Sequence, residues 1–305
     1  MTVRHSLLTW FVVLVVSTVV RGDDVVTLEC KDKVVDVRIG GQEFVTYNFA
    51  STLPKPYFSP VRAADGTIVT RGLDKPEDHP HHKGIFCAID EVNEIKFWAE
   101  KGKIVNAEVA LQRSQGNPAC LRVVNHWLGT DGQPLLEEAT MVSIFSNRLI
   151  SYDITFSPAR ADTPVTFADT KEGMFGIRLA NSMRGKEGGK FVNAEGLKGE
   201  KECWGQESKW VDYFGPINGK TYGVTLCDHP GNFRKSRFHV RDYGLFTLSP
   251  FGQHSYTNGK LPAAHVTLKP GESLRLRYGI AVHSGDTTEG KASELYEQFV
   301  TATGE

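Results

Sequence analysis

Residues 78–84 read Asp-His-Pro-His-His-Lys-Gly, which places His79, His81 and His82 within four positions. Imidazole titrates close to neutrality and is the commonest metal ligand. His79 and His81 are two apart, so on an extended chain both rings face one side. Two such rings could ligate zinc or another divalent ion if a further ligand came from elsewhere in the chain. Pro80 disturbs regular strand pairing but not an extended shape. The same rings suit metal-free acid–base work or contact with a sugar, and the bland reading is a solvated polar loop. No His-Glu-x-x-His and no cysteine-rich metal spacing accompany them.

Two further stretches concentrate reactive side chains. In residues 169–180, Lys171 and Glu172 lie between a turn and an apolar run. A lysine beside a carboxylate forms an acid–base pair if both enter a cleft, and an ion pair of little consequence if both stay in water. Residues 228–256 hold His239, Arg241 and Tyr243 in alternation, so on an extended chain they share a face with Asp242 opposite. That face offers a proton donor or acceptor, a fixed cation and a phenol, a set suited to a substrate rich in hydroxyls or bearing a carboxylate. His254 closes the same stretch. Asp228-His229-Pro230 repeats the Asp-His-Pro of residues 78–80 and is read as a second turn. Of Trp98, Trp127, Trp204, Trp210 and Tyr213, most belong in a core. Trp98 and Trp204, next to polar segments, are the stacking candidates for a sugar ring.

The elements that must carry these groups are strands. Ile150, Tyr152, Ile154 and Phe156 alternate with Ser151, Asp153 and Thr155, and Leu274 to Val282 alternates in the same way with Arg275, Arg277 and His283. Such alternation marks antiparallel strands with one face on a core and one in water. Similar runs are 34–39, 43–49, 84–92, 120–128, 138–145, 222–229 and 243–250, punctuated by Gly, Pro, Asn and Asp. Only the tail, 288–300, spaces its apolar residues (Ala292, Leu295, Tyr296, Phe299) as a helix does. Long connections are expected over 53–83 and 181–200, where loops tend to carry function. The pattern predicts an all-β protein: a large antiparallel β-sandwich over residues 23–305 with one C-terminal helix.

Arg4 and His5 precede an apolar run from Leu7 to Val20 that ends in Val-Arg-Gly. That predicts a cleavable signal peptide over residues 1–22 and a secreted or periplasmic protein, with no spanning segment left after cleavage. Cleavage would remove Arg4 and Arg21, leaving 33 basic against 36 acidic residues and a net charge of −3. Near-neutral charge gives no reason to expect nucleic acid as a partner. Cys30, Cys87, Cys120, Cys203 and Cys227 are scattered, with no Cys-x-x-Cys, and leave two pairs with one free thiol, or no pairing, both open.

Four motifs in order, DHPHHKGIF with DEVNEIKFW, DTKEGMFGIR, DHPGNFRKSRFHVRDYGLFTLSPFG and AHVTLKPGESLRLRYGIAVHSG, resemble the PmoA-like domain family, often labelled methane oxygenase. The resemblance covers about residues 25–300. It implies a supersandwich similar to galactose mutarotases, with a sugar held in a cleft by histidines, an arginine and a carboxylate. The residues it carries over are Arg71, His81, His82, Lys171, Glu172, His239, Arg241, Asp242 and Tyr243. One departure is that the third motif is expected to read nearer NPRHPTYWHVRDYG, whereas the chain has NFRKSRFHVRDYG, with prolines and an aromatic missing before His239.

The resulting expectation is a carbohydrate-active enzyme of proton-transfer chemistry: epimerisation, β-elimination or hydrolysis of a sugar, glycoside or keto-sugar. His82 or His239 serves as base and Glu172 or Lys171 as acid partner. Arg71, Arg241, Asp242, Tyr243, Trp98 and His254 contact substrate, and His79 with His81 offers a divalent metal site. Two rival readings stand beside it. One is a non-catalytic sugar-binding module, and the other is the copper-dependent oxidase that the family label suggests.

Overall fold

A computed structural model describes residues 25–304 apart from Lys75 and Glu77. The expected signal peptide lies outside the described residues. The alternating runs form strands, and the strands form three antiparallel sheets of nine, eight and four strands. The large sandwich and the C-terminal helix are as the alternation predicts.

The eight-stranded sheet is built around long neighbours, Ala119–Leu128, Pro134–Ile144, Leu149–Pro158 and Leu274–Ser284. The nine-stranded sheet runs in spatial order Arg237–Val240, Leu245–Ser249, Phe175–Arg178, Ile85–Cys87, Tyr57–Val61, Gln42–Asn48, Val34–Ile39, Val26–Lys31 and Gln115–Gly116. Their inward residues meet in one apolar core. There Tyr152 of one sheet packs on Phe58 and Phe175 of the other, and Phe175 stacks on Tyr278 at 5.5 Å. Aromatic contacts at such separations add to the burial of large apolar area. The core also holds the carboxyl of Glu138. It accepts hydrogen bonds from Trp127 Nε1, Asn125 Nδ2 and Thr140 Oγ1, and burial pushes its pKa up to about 7.

The C-terminal helix, Ala292–Thr303, covers the outer face of the eight-stranded sheet. Ala292, Leu295, Tyr296 and Phe299 pack there on Leu149, Cys227, Ala281 and Trp210. This explains why Leu149 and Ser151, which strict alternation would leave outside, are buried. It also explains a glycine in mid-strand: a Cβ on Gly279 would lie 2.7 Å from the Phe299 ring.

Several strands carry weaker alternation. Ile104–Arg113 is mostly half-exposed, and Trp210–Ile217 contains Gly215 and Pro216, residues that read as breakers. The connection expected over 53–83 contains the strand Tyr57–Val61. The one expected over 181–200 contains two short 3₁₀ turns and the strand Lys190–Asn193, at an edge of the eight-stranded sheet. All five cysteines are free thiols. Among the described residues no helix is long and apolar enough to cross a membrane.

Candidate functional site

The three reactive stretches of the sequence meet because four strands at one end of the nine-stranded sheet are neighbours. Ile85–Cys87 pairs with Phe175–Arg178, which pairs with Leu245–Ser249, which pairs with Arg237–Val240. His82 precedes the first of these strands and Asp90 follows it. Glu172 precedes the second, Tyr243 precedes the third, and His239 lies within the fourth. Together with His79, His81, Trp98, Ala99 and Arg241 they line a cavity of about 510 Å³. That volume lies in the range of small-molecule sites.

The histidine loop is held from behind by buried cations. Arg71 donates to the carbonyls of Asp78, His79 and His82 and to the Asp78 carboxylate. Lys55 donates to the His81 carbonyl at 2.8 Å and to Glu100 at 2.7 Å, and burial brings its pKa down to about 8. Arg178, wholly buried, holds Asp78 through Nη2 and lies 3.3 Å from His82 Nδ1 through Nη1. Burial alone would raise the Asp78 carboxyl, but the Arg178 and Arg71 guanidiniums outweigh it and hold the group below its ordinary value. Gly84 lets the loop turn under the sheet, since a Cβ there would collide with the Phe58 carbonyl.

This arrangement fixes the state of each ring. Arginine can only donate, so His82 Nδ1 accepts and the ring proton sits on Nε2. Burial, with His81 and His79 beside it, drives the His82 pKa far down. His82 is therefore a neutral ring that donates through Nε2, which suits it less to the base role that the sequence leaves open between His82 and His239. His239 is the reverse case. Its Nδ1 lies 3.1 Å from the Lys171 carbonyl, which can only accept, so Nδ1 carries the proton. Burial lowers its pKa to about 4. Its Nε2 lone pair is buried with no partner, and the Trp204 indole N–H, whose ring stands perpendicular at 6.1 Å, is also unpartnered. Burial raises the pKa of both Glu172 and Asp90, and the Asp90 charge raises Glu172 further. Glu172 Oε2 lies 3.6 Å from His239 Nδ1. Tyr243, pushed up to about 12 by burial, stays a phenol.

Aromatic surfaces form the walls. His79, His82 and Tyr243 lie with their planes within 7° of one another, and Trp98 meets His82 edge-on at 5.1 Å. The Arg178 and Arg241 guanidiniums lie 4.9 and 5.6 Å from the Tyr243 ring centre. Arg241 is anchored by Glu200 of the short helix Gly199–Cys203, whose other oxygen accepts from the Asp242 N–H.

Four expected site residues lie elsewhere. Arg71 is behind the histidine loop, with both Nη groups engaged by that loop. The Lys171 side chain points to solvent, and its contribution is the carbonyl that orients His239 and also accepts from Tyr256. The strand carrying His239 ends at Val240, and residues 241–244 form a hairpin turn, closed by hydrogen bonds from Gly244 N to the Arg241 carbonyl and from Arg241 N to the Leu245 carbonyl. The turn keeps Arg241 and Tyr243 on the cavity but sends Asp242 into a neighbouring one. His254 is exposed on the short helix Gln253–Tyr256, with Nδ1 at 2.8 Å from the Leu261 carbonyl. For the expected metal site, His79 and His81 meet edge-on at 5.8 Å. Among the described residues no three His, Cys, Asp or Glu side chains are grouped to hold a metal ion.

Asp90, Arg178, Lys55 and Glu200 were not legible as site residues. Asp90 sits inside the first reactive stretch, which was its one signal. Arg178 reads as part of an apolar strand, and Lys55 and Glu200 read as loop charges.

Two results follow for stability and local geometry. His239 is neutral when folded, with a pKa near 4 against 6.5 unfolded. Its contribution is complete above 6.5 and is lost as pH falls toward 4, at up to about 1.4 kcal/mol per pH unit. The melting-temperature difference between wild type and His239→Asn should therefore shift toward the variant over that window, and a constant difference would contradict a neutral buried ring. Gly173 follows Glu172 with φ of +120°, and its Cβ would lie 2.9 Å from the Ala88 carbonyl. Gly173→Ala should cost ~1–3 kcal/mol and displace Glu172, read as a lower melting temperature.

Residues 34–297 match the model of the family of unknown function DUF6807, and the chain belongs to that family. This corrects the PmoA-like assignment: the four motifs that suggested it fall almost wholly inside the DUF6807 match. The copper-oxidase reading rested on that label alone and falls with it. No curated protein matches the chain. Among solved structures the chain is similar to a galactose 1-epimerase from Lactobacillus acidophilus NCFM, at 7% identity over 86% of this chain and 98% of that one, with a TM-score of 0.41. It is also similar to a GalM/aldose epimerase homologue from C. elegans, at 8% identity over 86% and 99%, with a TM-score of 0.37. The likeness is distant, and no activity passes to this chain from it.

Proposed function

We propose that the protein is an acid–base enzyme acting on a hydroxylated, carbohydrate-type substrate, with His239 as the base. The observation that carries this reading is the His239 Nε2 lone pair, buried without a partner at a cavity while Nδ1–H is tied to a backbone carbonyl. A neutral imidazole with its tautomer fixed is ready to take a proton without first losing one. The Glu172 carboxylate beside Nδ1 offers a counter-charge to the imidazolium that results. Around it stand neutral donors, the His82 Nε2–H and the Tyr243 hydroxyl. Such a set stabilises an oxyanion or enolate that forms as His239 removes a proton from a hydroxyl or from carbon next to a carbonyl. Trp98 and Tyr243 line the cavity and give it aromatic wall. Epimerisation or β-elimination next to a carbonyl uses these parts most directly. The apolar run at residues 7–20 supports a place outside the cytoplasm, which N-terminal sequencing of the exported protein would check.

The test is incubation of the purified protein in D₂O with aldoses, keto-glycosides and uronides, followed by proton NMR. Epimerised product carrying deuterium at one carbon, or eliminated product with its new carbon–carbon double bond, supports the reading. Saturable sugar binding with no exchange and no product across the panel would replace it with the non-catalytic sugar-binding reading.

A further inference from the structure

The Asp242 turn separates the histidine cavity from a larger one of about 640 Å³ at the edge of the eight-stranded sheet. We propose that this second cavity is a separate binding site for a neutral saccharide. Its floor is the edge strand Lys190–Asn193 and its neighbour Trp210–Ile217. Asn193 lines it and is almost fully buried. The Asn193 Oδ1 accepts from the Glu195 and Leu197 N–H groups, which fixes the orientation of the amide. The remaining amide nitrogen is buried and has no partner in the protein. A buried, unmet N–H donor is costly, and an acceptor oxygen from a bound molecule would remove that cost.

Three features select the class of ligand. The unmet group is a donor, so the ligand must bring an oxygen acceptor, as a sugar hydroxyl does. Trp210 and Phe214, four residues apart and so on one face of their strand, supply aromatic wall suited to the apolar face of a sugar ring. Lys190 and Lys198 are matched by Asp242 and Asp286 among the lining residues, so the cavity carries no net charge to draw a phosphate or a carboxylate. The site does not depend on chemistry at the histidine cavity, and it would hold even if that cavity proved non-catalytic.

The test combines crystal soaking and titration calorimetry with methyl β-galactoside, methyl β-glucoside and cellobiose as probes and pyrophosphate as the anionic control. Asn193→Asp keeps the acceptor oxygen that orders the loop and removes the donor, and Phe214→Ala removes wall. The expected result is saccharide density against Asn193 and about tenfold weaker binding at this cavity in each variant. Binding at this cavity should be unchanged in His239→Asn, and any turnover at the histidine cavity unchanged in Asn193→Asp. Soaked crystals with no saccharide here, an Asn193→Asp titration equal to wild type, or a preference for pyrophosphate would overturn the proposal.

Discussion

His239→Asn should reduce turnover of any substrate found for this protein by about 10²–10⁴-fold, the usual worth of a positioned general base. Asparagine is the informative replacement because its amide nitrogen falls near the place of imidazole Nδ1. The hydrogen bond to the Lys171 carbonyl can survive while the Nε2 lone pair disappears. His239→Gln does the opposite, placing a polar group near Nε2 and surrendering the Lys171 contact. If the ring acts as base, both variants lose kcat with KM little changed, because neither Trp98, Tyr243 nor Arg241 has moved. If the ring only shapes the cavity, Asn and Gln should differ mainly in stability and KM. A kcat within a fewfold of wild type in His239→Asn would remove His239 from the chemistry, and with it the proposed mechanism.

The same residue illustrates what alternation in a sequence can and cannot convey. His239, Arg241 and Tyr243 do reach one cavity, as their spacing suggests, but the strand stops at Val240 and a turn completes the set. A hairpin turn and an extended strand both separate odd from even positions here, so the spacing could not tell them apart. The consequence fell on Asp242, which was read with its neighbours as a substrate contact and faces another cavity. The core strands were legible because each buries one face, a property that period two records directly. The supports of the histidine loop were not, because they come from residues 55, 71 and 178, and only the fold brings these together. Arg71 was singled out for its charge and its nearness to the histidines. Its work is done through backbone carbonyls, which have no sequence signature. The state of the His82 ring was illegible for the same reason: its tautomer is set by Arg178, which reads in the chain as one polar residue in an apolar strand.

Asp78→Ala should destabilise the fold by about 3 kcal/mol and abolish ordered binding at the histidine cavity, although Asp78 does not line that cavity. Asp78 is the shared counter-ion of two guanidiniums, at 2.6 Å from Arg71 and 2.9 Å from Arg178, whose side chains are 4% and 1% exposed. Removing it leaves two positive groups out of water with no charge to offset them, a far larger penalty than the loss of an exposed ion pair. The Asp78 side chain is itself 36% exposed, so water entering the gap limits the cost to the lower end of the range for buried pairs. The released arginines would repel each other and pull on the carbonyls of His79 and His82, tilting the rings that stack on Tyr243. Asp78→Asn keeps an acceptor for one arginine and should fall between wild type and alanine. In Asp78→Ala combined with Arg178→Met, one orphaned charge is gone, and stability should recover by more than the sum of the single changes allows. Thermal unfolding of the four proteins supplies the cycle. An Asp78→Ala melting temperature equal to wild type, or strictly additive changes, would mean that the loop is held by its own turn and not by the buried cations.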